Sequence, residues 1–165
     1  MSDLVFVKIC GITTEEDALL AVALGADAVG FILAPSRRQV SSSRVRDIVK
    51  RLPSEMLTVG VFRDAAPKRV IETVNEAGLK AAQLHGHETP EQAREVRTGV
   101  GLLIQAFSAG SRAMQRLEEY QADAVLMDGA VPGSGELFDW RQLDGMNRGH
   151  RLILAGGLDA SNVAA

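Results

Sequence analysis

The sequence predicts an α/β protein built as a (β/α)8 TIM barrel, and a repeated pattern is the main observation behind that prediction. Short apolar segments, each followed by a segment with helical periodicity, begin near residues 4, 26, 57, 80, 102, 122 and 151. Seven strand–helix units in a row imply a parallel sheet, because each crossover helix returns the chain to the same end of the sheet. Most of the strands are apolar nearly throughout, which is expected where both faces of a sheet are covered.

An open doubly wound sheet would give a similar pattern, and the first loop favours one of the two architectures. That loop contains no Gly-x-Gly-x-x-Gly, and no acidic residue ends the second strand, so dinucleotide binding loses support and the barrel is favoured. A barrel of this type normally takes about 200 residues or more, whereas this chain has 165 residues. We therefore expect one domain over residues 1–165 that lacks the C-terminal eighth strand–helix unit.

The strands are predicted from runs of apolar and β-branched residues that end at turn residues. They cover residues 4–9, 26–33, 57–62, 80–84, 102–107, 122–127 and 151–155. Helix boundaries come from capping and breaking residues: Thr13 or Thr14 caps the first helix, and Gly25 stops it. Proline opens the helices that begin at Pro67 and Pro90. The predicted helices cover 14–24, 43–52 and 67–77, begin at 90, cover 111–120 and begin near 160.

Composition excludes several classes of function. The net charge of −3 and the isoelectric point near 5.6 argue against a nucleic-acid-binding surface, which usually carries a basic excess. The chain has one cysteine, so it cannot form an internal disulfide, and a reducing compartment is expected. The N-terminus lacks the pattern of a signal peptide, and no apolar run approaches the length of a membrane span. The sequence therefore predicts a cytoplasmic protein without a membrane partner.

Cys10 is the first candidate for chemistry, because it lies where the first strand ends and the loop to the first helix begins. In parallel α/β proteins that edge of the sheet holds the active site. Side chains alternate along a strand, so Lys8 and Cys10 point to the same side, where the ammonium would favour the thiolate of Cys10. A structural thiol is the alternative, since free cysteine is among the most buried residue types.

Polar residues and glycines also follow other predicted strands. Asp128 ends the sixth strand after an apolar run and is a candidate general acid, with a turn-forming Asp-Gly pair as the alternative. Gly156 and Gly157 precede a predicted helix, where main-chain N–H groups and the helix dipole can bind a phosphate. Arg38, in the loop after the second strand, is a candidate ligand for an anion.

Two further motifs are less specific. His85-x-His87-Glu88 follows the fourth strand, but no third ligand of matching spacing is apparent, so we expect no metal. Gln83 and His85 are instead expected to hydrogen-bond a substrate or the loop itself. The segment Gly133-Ser134-Gly135 has no His–Asp pairing that would make Ser134 a nucleophile, and it is interpreted as a flexible loop over the site.

Several short segments, taken together and in order, resemble phosphoribosylanthranilate isomerase of tryptophan biosynthesis. The resemblance covers the whole chain, and the combination is specific although each segment is short. The segments are Val7-Lys8-Ile9-Cys10-Gly11-Ile12-Thr13, Gly25-Ala26-Asp27-Ala28-Val29-Gly30-Phe31, Val59-Gly60-Val61-Phe62, Gln83-Leu84-His85-Gly86, Gly133-Ser134-Gly135 with Phe138-Asp139-Trp140, and Ala155-Gly156-Gly157-Leu158.

The resemblance implies an Amadori rearrangement of N-(5-phosphoribosyl)anthranilate to the 1-deoxyribulose 5-phosphate, without a cofactor. It implies that Cys10 is the general base and Asp128 the general acid, and that Arg38 contacts the anthranilate end. Gly156 and Gly157 resemble half of the family's phosphate site, the other half being a loop after the eighth strand. The remaining expected substrate contacts are Lys8, Gln83, His85, Gly133, Ser134 and Gly135.

Two alternatives stay open at this point. One is a related phosphosugar barrel, such as a histidine-pathway isomerase or an indole-glycerol-phosphate synthase, although those enzymes use Lys and Glu or paired Asp residues. The other is an inactive truncated barrel that binds a phosphosugar without converting it. The expected partner is a small phosphosugar, and the expected oligomeric state is a monomer or a homodimer.

Overall fold

A computed structural model of the chain describes residues 5–129 and 151–163. Its described strands form a parallel sheet in which each strand pairs with the next one along the chain. The strands are β1 (Lys8–Cys10), β2 (Ala28–Ile32), β3 (Leu57–Phe62), β4 (Ala81–Leu84), β5 (Leu102–Ser108), β6 (Ala124–Asp128) and β7 (Arg151–Leu154). The helices are α1 (Glu15–Ala23), α2 (Ser42–Val49), α3 (Pro67–Ala77), α4 (Pro90–Arg97) and a 3-10 helix (Arg112–Tyr120).

The sheet curls, so that its two faces have different environments. Aliphatic side chains of β2 to β6 contact one another on the inner face; they are Ala28, Val59, Ala81, Ile104, Ala106 and Leu126. The larger side chains point outward and pack against the helices, and they include Val29, Phe31, Leu84, Leu103, Phe107 and Met127. Because side chains alternate along each strand, this division also decides which residues at the strand ends face the inside of the curl.

The two ends of the described sheet, β1 and β7, expose apolar side chains. Val5 is 80% exposed, and Phe6, Val7 and Ile9 are each more than two-fifths exposed. At the other end Leu152 is also exposed. The described residues therefore form an open, curled part of a barrel.

Most sequence-based boundaries agree with the structure to within a few residues. Thr14 caps α1, since its hydroxyl accepts the N–H of Asp17 at 3.1 Å, and Gly25 follows the helix with a positive φ of 83°. Pro67 and Pro90 open α3 and α4 as predicted. The first strand begins later than predicted, at Lys8, although the carbonyl of Val7 already accepts two N–H groups from the β2 side of the sheet.

The helix predicted over 111–120 is present, and the structure shows that it is of the 3-10 type. It is a 3-10 helix with a break at Arg116, where φ is −116° and ψ is 18°. Its i, i+3 spacing still brings apolar side chains onto the sheet, and Tyr120 packs edge-on against Phe107 with ring centroids 5.1 Å apart. Near residue 160, where a helix was predicted to begin, the described residues form a turn. None of the described helices is long and apolar enough to cross a membrane.

Candidate active site

The candidate residues lie at the C-terminal ends of β1, β4 and β6 and in the loops that follow them. Cys10 is the last residue of β1, Asp128 is the last residue of β6, and His85 directly follows β4. Parallel strands bring these ends to one edge of the sheet. The sequence prediction that chemistry-bearing residues share one edge is therefore confirmed, whereas their individual roles are not tested by the geometry alone.

Cys10 and Lys8 share one face of β1, as the alternation along the strand predicts. A Cβ placed on Gly30, the residue paired with Cys10 on β2, would lie 2.8 Å from Cys10 Sγ and 3.3 Å from Lys8 Nζ. The thiol and the ammonium are therefore neighbours above the bare main chain of Gly30. Cys10 is exposed, so the alternative of a buried structural thiol does not describe it.

Arg38 reaches the same corner from the loop after β2. Its Nη1 donates to the carbonyl of Cys10 at 2.9 Å, and its guanidinium lies against Gly11, where a side chain would collide with it. Gly11 also has a φ of 89°, a left-handed conformation that residues with a Cβ rarely adopt. This packing fixes one edge of the guanidinium against the main chain of Cys10 and Gly11, while Arg38 as a whole stays exposed.

Asp128 is 7% exposed and is held from several sides. Its Oδ1 accepts the N–H of Gly129 at 2.8 Å. A Cβ on Gly156 would lie 2.5 Å from the same oxygen, so this glycine packs directly on the carboxyl group. The other oxygen, Oδ2, is 3.3 Å from Nε2 of His85. Ser108 pairs with Asp128 in the strand register and ends β5 on the same inner face.

Gln83 and His85 both point to the inside of the curl, two residues apart on β4. Nε2 of Gln83 is 3.4 Å from Nδ1 of His85. Gln83 is only 2% exposed, and its Oε1 is buried without a hydrogen-bond partner among the described residues. His85 is anchored by its main chain, whose N–H donates to the carbonyl of Phe62 at 2.9 Å. Gln83 therefore lies beneath His85, one layer below the solvent-accessible site.

The remaining acidic and imidazole groups of this edge fix two loops to each other. Glu88 is 5% exposed, and its two oxygens accept the N–H groups of Asp64 and Gly86 at 2.8 Å each. The carboxyl of Asp64 in turn accepts the N–H of His87 at 2.6 Å. That main-chain hydrogen bond holds the pKa of Asp64 below its ordinary value of 3.8, with the nearby imidazole of His87 as a further cause. Within the described residues, no group of three side chains is placed to hold a metal ion.

Two glycines form the turn that follows β7. Gly156 and Gly157 have positive φ values of 87° and 68°, and Asn162 holds their turn by donating to the carbonyl of Gly157 at 2.9 Å. Asp159 caps the following turn through the N–H of Ser161 at 2.7 Å. The expected contacts Gly133, Ser134 and Gly135 lie outside the described residues.

Two features of the site were not found from the sequence. The contact of Gly30 with Cys10 and Lys8 depends on the pairing of β1 with β2, which places Gly30 opposite Cys10. The sequence predicts that Gly156 contacts a phosphate, whereas in the structure this glycine packs on the carboxyl group of Asp128. The contact between Gly156 and Asp128 follows from the parallel register of β6 and β7, in which Met127 pairs with Leu154.

An exposed thiol beside an ammonium, a largely buried carboxyl group and a glycine turn at one barrel edge can perform acid–base chemistry on a small anionic molecule. Residues 7–165 match a model of the N-(5'phosphoribosyl)anthranilate (PRA) isomerase family. The chain belongs to this family.

Relatives of known identity agree with that assignment to PRA isomerase. The N-(5'-phosphoribosyl)anthranilate isomerase of Desulforudis audaxviator is 45% identical over 96% of this chain and 80% of its own length. The crystal structure of phosphoribosyl anthranilate isomerase from Thermus thermophilus has a TM-score of 0.90 and 45% identity, over 97% of this chain and 80% of that one.

A further PRA isomerase structure contains reduced 1-(o-carboxyphenylamino)-1-deoxyribulose 5-phosphate. It has a TM-score of 0.85 and 38% identity, over 98% of this chain and 80% of that one. The fold of the described residues is therefore that of the family's TIM-type barrel.

Proposed function

We propose that this chain catalyses the Amadori rearrangement of N-(5-phosphoribosyl)anthranilate to 1-(2-carboxyphenylamino)-1-deoxyribulose 5-phosphate in tryptophan biosynthesis, with Cys10 as general base and Asp128 as general acid. Family membership supports the reaction. The observation that supports the two roles is the placement of an exposed thiol at the end of β1 and a largely buried carboxyl at the end of β6. The strand order puts four strands between them, so that they approach a ligand in the curl from different directions.

The proposed steps move protons and need no redox change. Asp128 donates a proton to the ring oxygen of the ribose, and the C1–O bond breaks to give an open-chain Schiff base. The Cys10 thiolate then removes the proton from C2, which gives an enolamine that tautomerises to the aminoketose. The ammonium of Lys8 lies beside the thiolate and stabilises its negative charge. No cofactor is part of this proposal.

The proposed binding contacts follow from charge and position. Arg38 would hold the anthranilate carboxylate, since its guanidinium is fixed beside Cys10 by the hydrogen bond to that residue's carbonyl. Gly156 and Gly157 would bind the phosphate through main-chain N–H groups. Gly133, Ser134 and Gly135 are proposed to cover the substrate, and Lys8 and His85 to border it.

Gln83 requires a different account from the other proposed contacts. It is too buried to touch a substrate directly, so we propose that it acts through His85. We also propose that the enzyme works in the cytoplasm, as a monomer or homodimer, and has no nucleic-acid or membrane partner. The absence of a basic excess in the sequence supports the exclusion of nucleic acid.

Turnover of freshly prepared N-(5-phosphoribosyl)anthranilate, followed by the loss of its anthranilate fluorescence, tests the proposal. We expect the purified chain to convert the substrate, and Cys10→Ala and Asp128→Asn each to lower kcat by about 10²–10⁴-fold. Circular dichroism of both variants should match the parent chain, because neither side chain fills the hydrophobic core.

Either of two results would contradict this account. Full activity in one of the variants would remove that residue from its proposed role. A folded parent chain that binds the reduced product analogue without turning over the substrate would favour the alternative of a binding module.

A further inference from the structure

We propose that Gln83 and His85 form a relay that positions the carboxyl group of Asp128 for proton transfer. His85 acts on Asp128 directly, and Gln83 acts by fixing the ring of His85. Both are positioning residues in this proposal, which rests on the proposed role of Asp128 as the general acid.

The two oxygens of Asp128 have different neighbours, and His85 is the side chain next to one of them. Oδ1 accepts the N–H of Gly129 and is crowded by the main chain of Gly156. Oδ2 has a polar neighbour of a different kind, Nε2 of His85 at 3.3 Å. Rotation of the carboxyl group is therefore limited at one oxygen by the main chain and at the other by the imidazole.

The orientation of the Gln83 amide determines which nitrogen of the His85 ring carries the proton in this proposal. The amide nitrogen of Gln83 faces Nδ1, and an N–H donor beside that nitrogen requires Nδ1 to be the acceptor. The ring proton is then on Nε2, which is the nitrogen next to Oδ2 of Asp128. An N–H at this position interacts favourably with the negative charge that appears on Asp128 when it gives up its proton.

The contact between Nε2 and Oδ2 is close but is not aligned as a hydrogen bond, and Nε2 is buried without an aligned partner among the described residues. Hydrogen bonds of catalytic groups are often long or poorly aligned in a free enzyme and tighten when substrate binds. The relay therefore predicts that the interaction between His85 and Asp128 shortens in the complex with substrate.

Gln83 is poorly explained by stability alone. Its Oε1 is buried without a partner in the described part of the chain, and an unsatisfied buried amide oxygen lowers the stability of the folded state. Among the described residues, the amide nitrogen of Gln83 has one hydrogen-bond partner, Nδ1 of His85. This partner, a side chain next to Asp128, is what connects the amide group of Gln83 to the site.

The neighbouring strand supplies a matched control. Gln105 is also 2% exposed, and its Oε1 is also buried without a partner among the described residues. Its amide donates to the main-chain carbonyls of Leu84 and Ala106. Gln105 alternates with the inward residues Ile104 and Ala106, so its side chain lies on the opposite face of the sheet from Gln83 and does not contact the ring of His85 or the carboxyl group of Asp128 through a hydrogen bond.

The test compares Gln83→Met with Gln105→Met, two substitutions that remove a buried amide and keep a similar volume. We expect Gln83→Met to lower kcat roughly tenfold, which is part of the ~10²–10⁴-fold that a general acid contributes. The KM of this variant should stay within about twofold of the parent value, because Gln83 does not touch the substrate. Gln105→Met should leave both constants unchanged.

A second readout reports on the ring itself. Long-range ¹H–¹⁵N correlation spectra of the parent chain at pH 8, assigned with a His85→Asn variant, should show the Nε2–H tautomer for His85. In Gln83→Met the signals should move toward a mixture of both tautomers, a change that a purely structural role for Gln83 would not cause.

The outcomes separate the relay from the proposed function. If Asp128→Asn loses activity while Gln83→Met keeps the parent kcat, the relay is wrong and the acid role stands. Equal losses in Gln83→Met and Gln105→Met would also overturn the relay, since packing would then explain both. If the parent chain has no turnover, the proposed function fails, and an Nδ1–H tautomer in the parent spectrum would reject the relay independently.

Discussion

Gly30→Ala should lower catalytic activity much more than it lowers stability. The added Cβ would lie 2.8 Å from Sγ of Cys10 and 3.3 Å from Nζ of Lys8. Ordinary contacts of a Cβ lie at 3.4–4 Å, so the thiol has to move by about 0.6–1.2 Å. A displacement of that size in a reacting group costs about 10²-fold in rate. We expect a kcat reduced by about two orders of magnitude in the fluorescence assay.

Gly60→Ala is the matched control for this substitution. Gly60 is a buried strand glycine like Gly30, and its added Cβ would lie 2.8 Å from Cδ1 of Leu79. This crowding is on the face that packs against the helices, away from Cys10. Both substitutions should cost about 1–3 kcal/mol of stability through overpacking, but Gly60→Ala should keep the parent kcat. Parent-like kcat in Gly30→Ala, or an equal loss of kcat in Gly60→Ala, would refute the reasoning.

Three further predictions concern binding, pH and capping. Arg38→Ala should raise KM more than it lowers kcat, since the guanidinium is proposed to hold a carboxylate; steady-state kinetics measure this, and an unchanged KM would contradict it. Asp64→Asn keeps an acceptor for the His87 N–H but removes the charge. Folding lowers the pKa of Asp64, so the charged carboxylate stabilises the folded state above pH 3.8, and this stabilisation is lost as the pH falls further. The difference in Tm between the parent chain and Asp64→Asn should therefore shrink below pH 3.8. Thr89→Ala removes the capping box that Thr89 forms with Gln92 on α4 and should cost about 1 kcal/mol in urea unfolding, while an unchanged midpoint would contradict it.

The fold was largely predictable because local signals and long-range pairing agree along this chain. Buried parallel strands are apolar throughout. Their ends coincide with glycines and prolines, which mark turns and loops. The helix over 111–120 was predicted, but its 3-10 type could not be, for a physical reason. Its apolar residues Ala113, Leu117 and Tyr120 are spaced by three and four, which fits an α-helix as well as it fits 3-10 turns.

The site was predictable in its residue types but not in its contacts. Cys10 and Asp128 stand out because a reactive or acidic side chain ends an apolar strand. The contact between His85 and Asp128 could not be derived from sequence, because it joins β4 and β6 across the inner face and depends on the curl of the sheet. The interaction of Glu88 with two main-chain N–H groups could not be predicted either, because the motif His85-x-His87-Glu88 resembles part of a metal site.

The most direct test of the central claim is a crystal structure of this chain with reduced 1-(o-carboxyphenylamino)-1-deoxyribulose 5-phosphate. The account predicts that the sugar carbons lie between Cys10 and Asp128, with Sγ and a carboxyl oxygen each within about 3.5 Å of the ligand and on opposite sides of it. A complex in which the ligand occupies the barrel mouth but leaves either group out of contact would contradict the proposed acid–base pair.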